Sequence, residues 1–482
     1  MLLLLAFLLP MIGGAFMIKL KEEGRRRTAS TVLILATDLL LIAALFFGRS
    51  LTVIRFTENV TMSFGFDNFG RIAAAAAACL YTAVCFYAYE YMRMEERPEQ
   101  FFAFFFISFG ALIAVCMSSN LITMYLFFEI LTLSTVPLVL HELTKEAVTA
   151  GLKYLFYSIG GAFMGLFAVF YVYYCSSPDA SFVMGGFLDG AKISANYGLF
   201  LAAVMIGIVG FGTKAGMYPM HGWLPAAHPI APAPASSLLS GIVAKAGVVC
   251  VVRLVYYSVG ADNIRGTWVQ TAWMTLCLLT IFMGSMMAFR EKIMKKRLAY
   301  STISQISYIM LGLSFLSPEG LKGGLLHLMQ HAASKGCLFL VAGVFIYKLG
   351  VRNVTDLKGI GRRMPVTMWC FTIASLSLVG IPPLGGFVSK WVIASAALSY
   401  GVVPFAYLAP AVLLVSALLT AGYLLPVTVD AFFPGRDKEE ESAPKAGDAE
   451  PSPLMTVPMI ALCACTLVVG LFGPAIVSAL GF

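Results

Sequence analysis

Long apolar runs alternate with short polar connections along the whole chain, and the runs are around 20 residues long without the strict every-other-residue alternation of a barrel strand. A helix of that length matches the hydrocarbon core of a bilayer, and in lipid every backbone N–H and C=O must be satisfied inside the spanning segment. The pattern predicts about fourteen spans, near 1–18, 29–48, 70–92, 101–118, 120–140, 153–174, 197–219, 233–258, 268–289, 300–316, 322–347, 366–397, 402–428 and 455–478. The expected fold is an all-α polytopic membrane protein with a single membrane domain over 1–482. Only 436–453 lacks apolar periodicity; with Glu439, Glu440, Glu441 and several Pro and Ala it reads as a flexible cytoplasmic linker without chemistry.

Composition agrees, since 59% of the 482 residues are hydrophobic and 12% charged, outside the range of water-soluble globular chains. The charge is sided. Lys19, Lys21, Arg25, Arg26 and Arg27 follow the first span, Arg290, Lys292, Lys295, Lys296 and Arg297 the ninth, and Lys348, Arg352, Lys358, Arg362 and Arg363 the eleventh. The alternate loops hold only Arg49, Arg55, Arg71, Lys192, Arg265 and Lys322, so the rich face is expected to be cytoplasmic, with both termini on the outer face of a prokaryotic inner membrane. Topology accounts for this charge without a nucleic-acid partner. The N-terminal apolar run has no basic stretch before it and reads as a retained span rather than a signal peptide. The ten cysteines are scattered without a C-x-x-C pair, and Cys463 and Cys465 are isolated, so no disulfide, haem or iron–sulfur centre is expected. No nucleophile motif, phosphate loop or cofactor fingerprint occurs, so the expectation is no cofactor, no metal and no active site of its own.

The chemistry lies where charge does not belong. Lys214, Lys245, Lys335, Lys390 and Glu129 interrupt apolar spans, each at a cost of roughly 3 kcal/mol near the bilayer centre unless offset. Glu129 needs a cation, and Lys214 is the expected partner, with Lys245 next along a proton path; the bland alternative is a static ion pair fixing helix packing. His327, His331 and Lys335 recur at i, i+4 and i+8, one helical face suited to a proton relay. A metal site is the rival there, opposed by Lys335 and by the lack of nearby acids. Glycines and prolines break the seventh span around Lys214 and the twelfth around Lys390, five spans apart and so in opposite directions, a pattern that points to ion-coupling sites in transporters. The segment from His221 to Pro234 is too rich in proline to be helical; His221 and His228 there are candidate proton inlets on the cytoplasmic side, with a structural loop role equally open for His228. Asp38, His141, Glu142 and Arg253 are expected to pair locally or reach the interface.

The run His221-Gly-Trp-Leu-Pro-Ala-Ala-His228, followed by Ala-Pro, Ser236-Ser-Leu-Leu-Ser-Gly241 and Lys245, resembles the antiporter-like proton-translocating subunits shared by respiratory complex I, Mrp-type Na+/H+ antiporters and membrane-bound [NiFe] hydrogenases or formate hydrogenlyases. The likeness runs from about Phe101 to Tyr423. It implies a fourteen-helix core with two inverted five-helix repeats, 101–258 and 268–428, and proton-translocation roles for Glu129, Lys214, Lys245, His327, His331, Lys335 and Lys390. It also implies partners: other membrane subunits, homologous antiporter-like subunits among them, and peripheral redox subunits, with H+ moved and Na+ left open. Ala226 stands where complex I relatives often have an acid, so no carboxylate acts there. A subunit of a Mrp-type Na+/H+ antiporter without a redox partner is the alternative, and a passive anchor for a peripheral enzyme a second.

Overall fold

A computed structural model describes residues 1–57, 60–177, 180–434 and 450–482. Helices stand at every predicted span: α1 (Leu2–Met17), α2 (Glu23–Phe47), α3 (Asn68–Tyr91), α4 (Pro98–Cys116), α5 (Leu121–Val139), α6 (Lys145–Tyr174), α7 (Tyr197–Ala215), α8 (Ala233–Val259), α9 (Trp268–Arg290), α10 (Met294–Ser314), α11 (Pro318–Leu349), the pair α12 (Pro365–Val379) and α13 (Gly385–Tyr400), α14 (Phe405–Phe432) and α15 (Pro453–Ala479). Among the described residues, α2 to α9, α11, α14 and α15 are long and apolar enough to cross a membrane, eleven in all, while α1 and α12 are apolar but shorter.

The apolar runs marked the middle of each helix better than its ends. α2, α6 and α10 begin several residues before their predicted spans, on charged first turns, because backbone hydrogen bonding continues past the last apolar residue. Starts are set by local chemistry: Asn120, Thr144 and Ser317 accept from the amides of Thr123, Ala147 and Gly320, and prolines open α4, α11, α12 and α15, where their missing N–H costs nothing.

The seventh and twelfth spans are broken as expected, but at sharper places. α7 runs unbroken through Gly207, Gly210 and Gly212 and ends only at Gly216 (φ 76°), and α12 ends at Gly380 (φ 98°), both in the left-handed region that favours glycine. The His221–Pro234 segment is not devoid of helix. A short helix, Leu224–Ile230, follows the first break with Pro225 in its first turn, where no amide is needed, and α8 starts at Ala233 with Pro234 placed likewise.

Loops from the same face are tied together. On the basic face Met294 N donates to Arg352 O, and Arg93 pairs with Glu23 and Glu90. On the opposite face Asn68 donates to Leu480 O and Phe182 N to Ser119 O. That face also carries a hairpin that the apolar pattern did not announce, β1 (Leu51–Arg55) against β2 (Thr61–Phe64), antiparallel with Leu51 opposite Phe64 and an irregularity between Thr52 and Ile54. Of the expected linker, 436–449 lies outside the described residues; at its end Glu450 is docked, accepting from the Val366 and Thr367 amides and the Thr367 hydroxyl at the start of α12. At the centre stand α8, buried along its whole length, and α11, which packs on α3, α8, α10, α12, α13 and α15.

Candidate functional site

Glu129, Lys214, Lys245, His327, His331, Lys335 and Lys390 all fall on this central set or on helices packed against it. Lys214, 1% exposed in the last turn of α7, donates from Nζ to Thr132 Oγ1 of α5 (3.0 Å) and to the Tyr154 hydroxyl of α6 (2.5 Å), with the Tyr154 ring centroid 4.7 Å away. Lys245, equally buried, donates to Ser240 O at 2.7 Å. That carbonyl is free because Leu239–Val243 is a turn of wide π-helix, in which the usual i to i−4 bonds are displaced. Lys335 Nζ donates to Leu298 O of α10 (3.1 Å). Lys390, at the second break, reaches back from α13 to Leu378 O (2.5 Å) and Val379 O (3.0 Å), the orphan carbonyls at the end of α12, and lies 5.0 Å from the Tyr308 ring.

The histidines bridge these lysines. Tyr308 stacks on His327 (5.3 Å between centroids, 12°), and His327 on His331 (5.9 Å, 24°). His327 Nδ1 is 2.9 Å from Ser389 Oγ. His331, fully buried, has no hydrogen-bond partner at either ring nitrogen among the described residues and lies within electrostatic reach of Lys245, Lys335 and Lys390. A line of contacts therefore runs from Lys390 through Tyr308, His327 and His331 toward Lys335 and Lys245.

Two expectations change. Glu129 and Lys214 are within electrostatic reach of each other, yet they are not paired: Lys214 is occupied by two hydroxyls, and Glu129 Oε1 has no hydrogen-bond partner among the described residues. The proposed pair is open in this structure, since Thr132 and Tyr154 supply acceptors that the sequence order could not place beside Lys214. His228 does not lie in a loop. It is fully buried in the short helix, stacked on Phe339 (4.7 Å), without a hydrogen-bond partner at either nitrogen among the described residues, and within reach of Lys245, Lys295 and Lys335. His221 keeps partial exposure, stacked on Tyr218.

Among the described residues no axis lysine forms an ion pair. Arg253 does: its guanidinium holds both Asp67 oxygens at 2.7 Å inside a cage of Phe69, Phe182 and Tyr257 rings. Asp67 lies just before α3, outside the spans; burial raises its carboxyl, but Arg253 and the Gly70 amide outweigh that and hold it below its usual value. The sequence also hid Lys295, counted with the topological charges of the basic loop; it is 5% exposed and donates to Ala231 O at 2.5 Å. The cysteines are less scattered than they read, with Cys337 and Cys463 sulfurs 3.5 Å apart and Cys79 and Cys465 3.6 Å apart.

Residues 118–420 match the family described as NADH:quinone oxidoreductase/Mrp antiporter, TM. Among curated proteins, the chain is 33% identical over 410 residues to NADH-quinone oxidoreductase subunit N of Desulforudis audaxviator (strain MP104C), covering 82% of this chain and 79% of that one. It is 26% identical over 477 residues to a Na(+)/H(+) antiporter subunit of Alkalihalophilus pseudofirmus, covering 97% and 93%. The fold is that of a chain in the membrane-bound sulfane sulfur reductase, an archaeal respiratory membrane complex, with TM-score 0.84, 21% identity and coverage of 99% and 96%.

Proposed function

Because the chain belongs to the NADH:quinone oxidoreductase/Mrp antiporter family of membrane subunits, we propose that it is the proton-translocating, antiporter-like subunit of a multisubunit ion-pumping complex driven by redox chemistry in partner subunits. One observation carries the reading: four lysines and two histidines, spaced over α7, α8, α11 and α13, sit in the interior with only uncharged groups, or among the described residues nothing, as hydrogen-bond partners. A lysine held by neutral acceptors loses its proton without stranding a counter-charge, so it can alternate between ammonium and amine; a fixed ion pair cannot. Closing Glu129 onto Lys214 would hold the ammonium there, and opening would release a proton toward Lys245 and Lys335, then the His331 and His327 rings, and Lys390.

Two inverted repeats, 101–258 and 268–428, fit this reading, because neighbour pairs recur five spans apart: α4 with α5 and α9 with α10, α6 with α7 and α11 with α13, α7 with α8 and α13 with α14. The basic face is taken as cytoplasmic, both termini as external, the membrane as a prokaryotic inner membrane, and His221 as the inlet. A second reading, Na+/H+ exchange without a redox partner, is favoured by the nearly full-length match to the Na(+)/H(+) antiporter subunit of Alkalihalophilus pseudofirmus. Inverted vesicles carrying the whole complex separate them. With Lys214→Ala at equal assembly, substrate-driven acidification is expected to collapse, and with Glu129→Gln to fall to a small measurable remainder; unchanged pumping would make these groups structural. Ion exchange that needs Na+ and ignores redox substrates would select the second reading.

A further inference from the structure

Among the described residues, three fully buried side chains have both of their polar atoms without a hydrogen-bond partner: His228, His331 and Gln305. The first two are titratable groups of the site described above, whereas Gln305, on α10, is not titratable and has no place in it. Exchanging the nitrogen and oxygen of its carboxamide changes nothing, since both positions are bare. A buried amide in that state is costly unless something in the working protein engages it.

Contacts along the seam between α10 and α11 place the residue. Gly312 packs on Gly320 and Gly324, Ile309 on Gly324, the Tyr308 ring on His327, and Leu298 O accepts from Lys335. The two helices therefore run in opposite directions with a fixed register. Leu298, Thr302, Gln305, Ile309 and Gly312 recur every three or four residues and share one face of α10, while Gly320, Gly324, His327, His331 and Lys335 share the facing side of α11. Gln305 thus stands on the seam, level with the turn of α11 that separates His327 from His331. One turn away, Thr302 Oγ1 is 2.6 Å from Oγ of Ser240, the residue whose carbonyl holds Lys245. So α10 meets the axis turn by turn, at Lys335, beside Lys245 and at the stack of Tyr308 on His327, and Gln305 lies between the lysine end and the histidine end.

A carboxamide does not take up or release a proton near neutral pH, so Gln305 is no carrier; it can hold one in place. His327 and His331 are stacked with centroids 5.9 Å apart, and stacked rings do not aim their N–H groups at each other, so a proton passing along them needs a carrier beside the stack. A buried water makes about three hydrogen bonds to groups that lack other partners. The amide of Gln305 supplies a donor and an acceptor, and a neutral His331 ring supplies one of each. We propose that Gln305 is a positioning residue of the proton axis, whose carboxamide holds a water against His331, and that this water relays the proton between the Lys245 and Lys335 pair and His327. The water accepts one proton from the donor side and gives another to the acceptor side, so it is unchanged after each transfer.

The proposal rests on the proton-translocating reading, and the test keeps the two apart. Inverted vesicles carrying the whole complex are compared at equal assembly. Gln305→Leu, apolar and of similar size, should cut substrate-driven pumping about tenfold or more, the scale of losing two hydrogen bonds, while the melting midpoint stays equal or rises because two bare polar atoms are gone. Gln305→His, which keeps a donor and an acceptor, should restore at least half of the wild-type rate. Wild-type pumping in Gln305→Leu, or a loss that Gln305→His shares fully, overturns the proposal. If Gln305→Leu fails to assemble, a map of the wild-type complex fine enough to show ordered water decides: a water bonded to both Gln305 and His331 is expected, and a dry contact overturns the proposal. Lys245→Met is the control. Normal pumping in that variant sinks the translocation reading itself, whereas its collapse beside an unaffected Gln305→Leu sinks only the role of Gln305.

Discussion

Arg253 and Lys245 lie eight residues apart on the same buried helix, and the structure treats their charges in opposite ways. Arg253 is locked: two hydrogen bonds to Asp67 and three aromatic faces surround a guanidinium that does not give up its proton. Lys245 has one backbone carbonyl and no acid. Buried charge as such is therefore a poor marker of ion translocation. The informative feature is a buried, titratable cation without a fixed counter-charge, which Lys214, Lys245 and Lys335 share and Arg253 lacks.

The largest expected effect tests that division. Lys245→Met should cut pumping by about two orders of magnitude, the scale of removing a positioned proton-transfer group. It should leave the melting midpoint of the purified complex unchanged or higher, since an uncompensated buried ammonium is replaced by an apolar chain of similar length. A variant that melts early and pumps normally would turn Lys245 into a structural residue and erase the contrast with Arg253.

Next comes the locked pair. Asp67→Asn leaves Arg253 buried and unpaired, and about 3 kcal/mol of stability should go with it, while pumping per assembled complex stays within about twofold, the scatter of a surface change. Arg253→Met added to Asp67→Asn should recover most of the loss. The pair also predicts a pH limb. The folded carboxyl is held below the 3.8 of a free aspartate, so its contribution is fully present above about pH 4 and lost as pH falls through the depressed value. Thermal melts of wild type and Asp67→Asn should therefore converge at the acid end; melts that stay apart would place the Asp67 contribution in packing rather than charge.

What could be read beforehand divides along the same line. The all-helical class, the rough places of the helices, the two breaks and the identity of the odd charges follow from one-dimensional patterns: apolar length, glycine and proline, a lysine where none belongs. Partners do not. Thr132 and Tyr154 are ordinary hydroxyls on other helices, and Ser240 becomes an acceptor only because a π-turn displaces its carbonyl bond; neither has a sequence signature. Lys295 was hidden by its neighbours Arg290, Lys292, Lys296 and Arg297, among which nothing marks the one that folds inward. The paired strands Leu51–Arg55 and Thr61–Phe64 are short and partly polar, so apolar run length passes over them.

The smallest effect asks how neutral acceptors hold an axis lysine. Tyr154→Phe removes one of the two hydroxyls bonded to Lys214 but keeps the ring, whose face lies 4.7 Å from Nζ. Losing one such hydrogen bond costs about 1 kcal/mol, a several-fold change in an equilibrium. If Thr132 and Tyr154 hold Lys214 away from Glu129, the bias toward the open arrangement weakens, and pumping should fall only about threefold to tenfold. Tyr154→Phe combined with Thr132→Val then removes both acceptors and should drive Lys214 onto Glu129, giving the larger loss. The coupling is visible against Glu129→Gln: with no carboxylate to fall back on, the double hydroxyl variant should add nothing further to the defect. An added loss there would show the hydroxyls carrying protons themselves, which would extend the axis from lysines and histidines to the two hydroxyls that now only position Lys214.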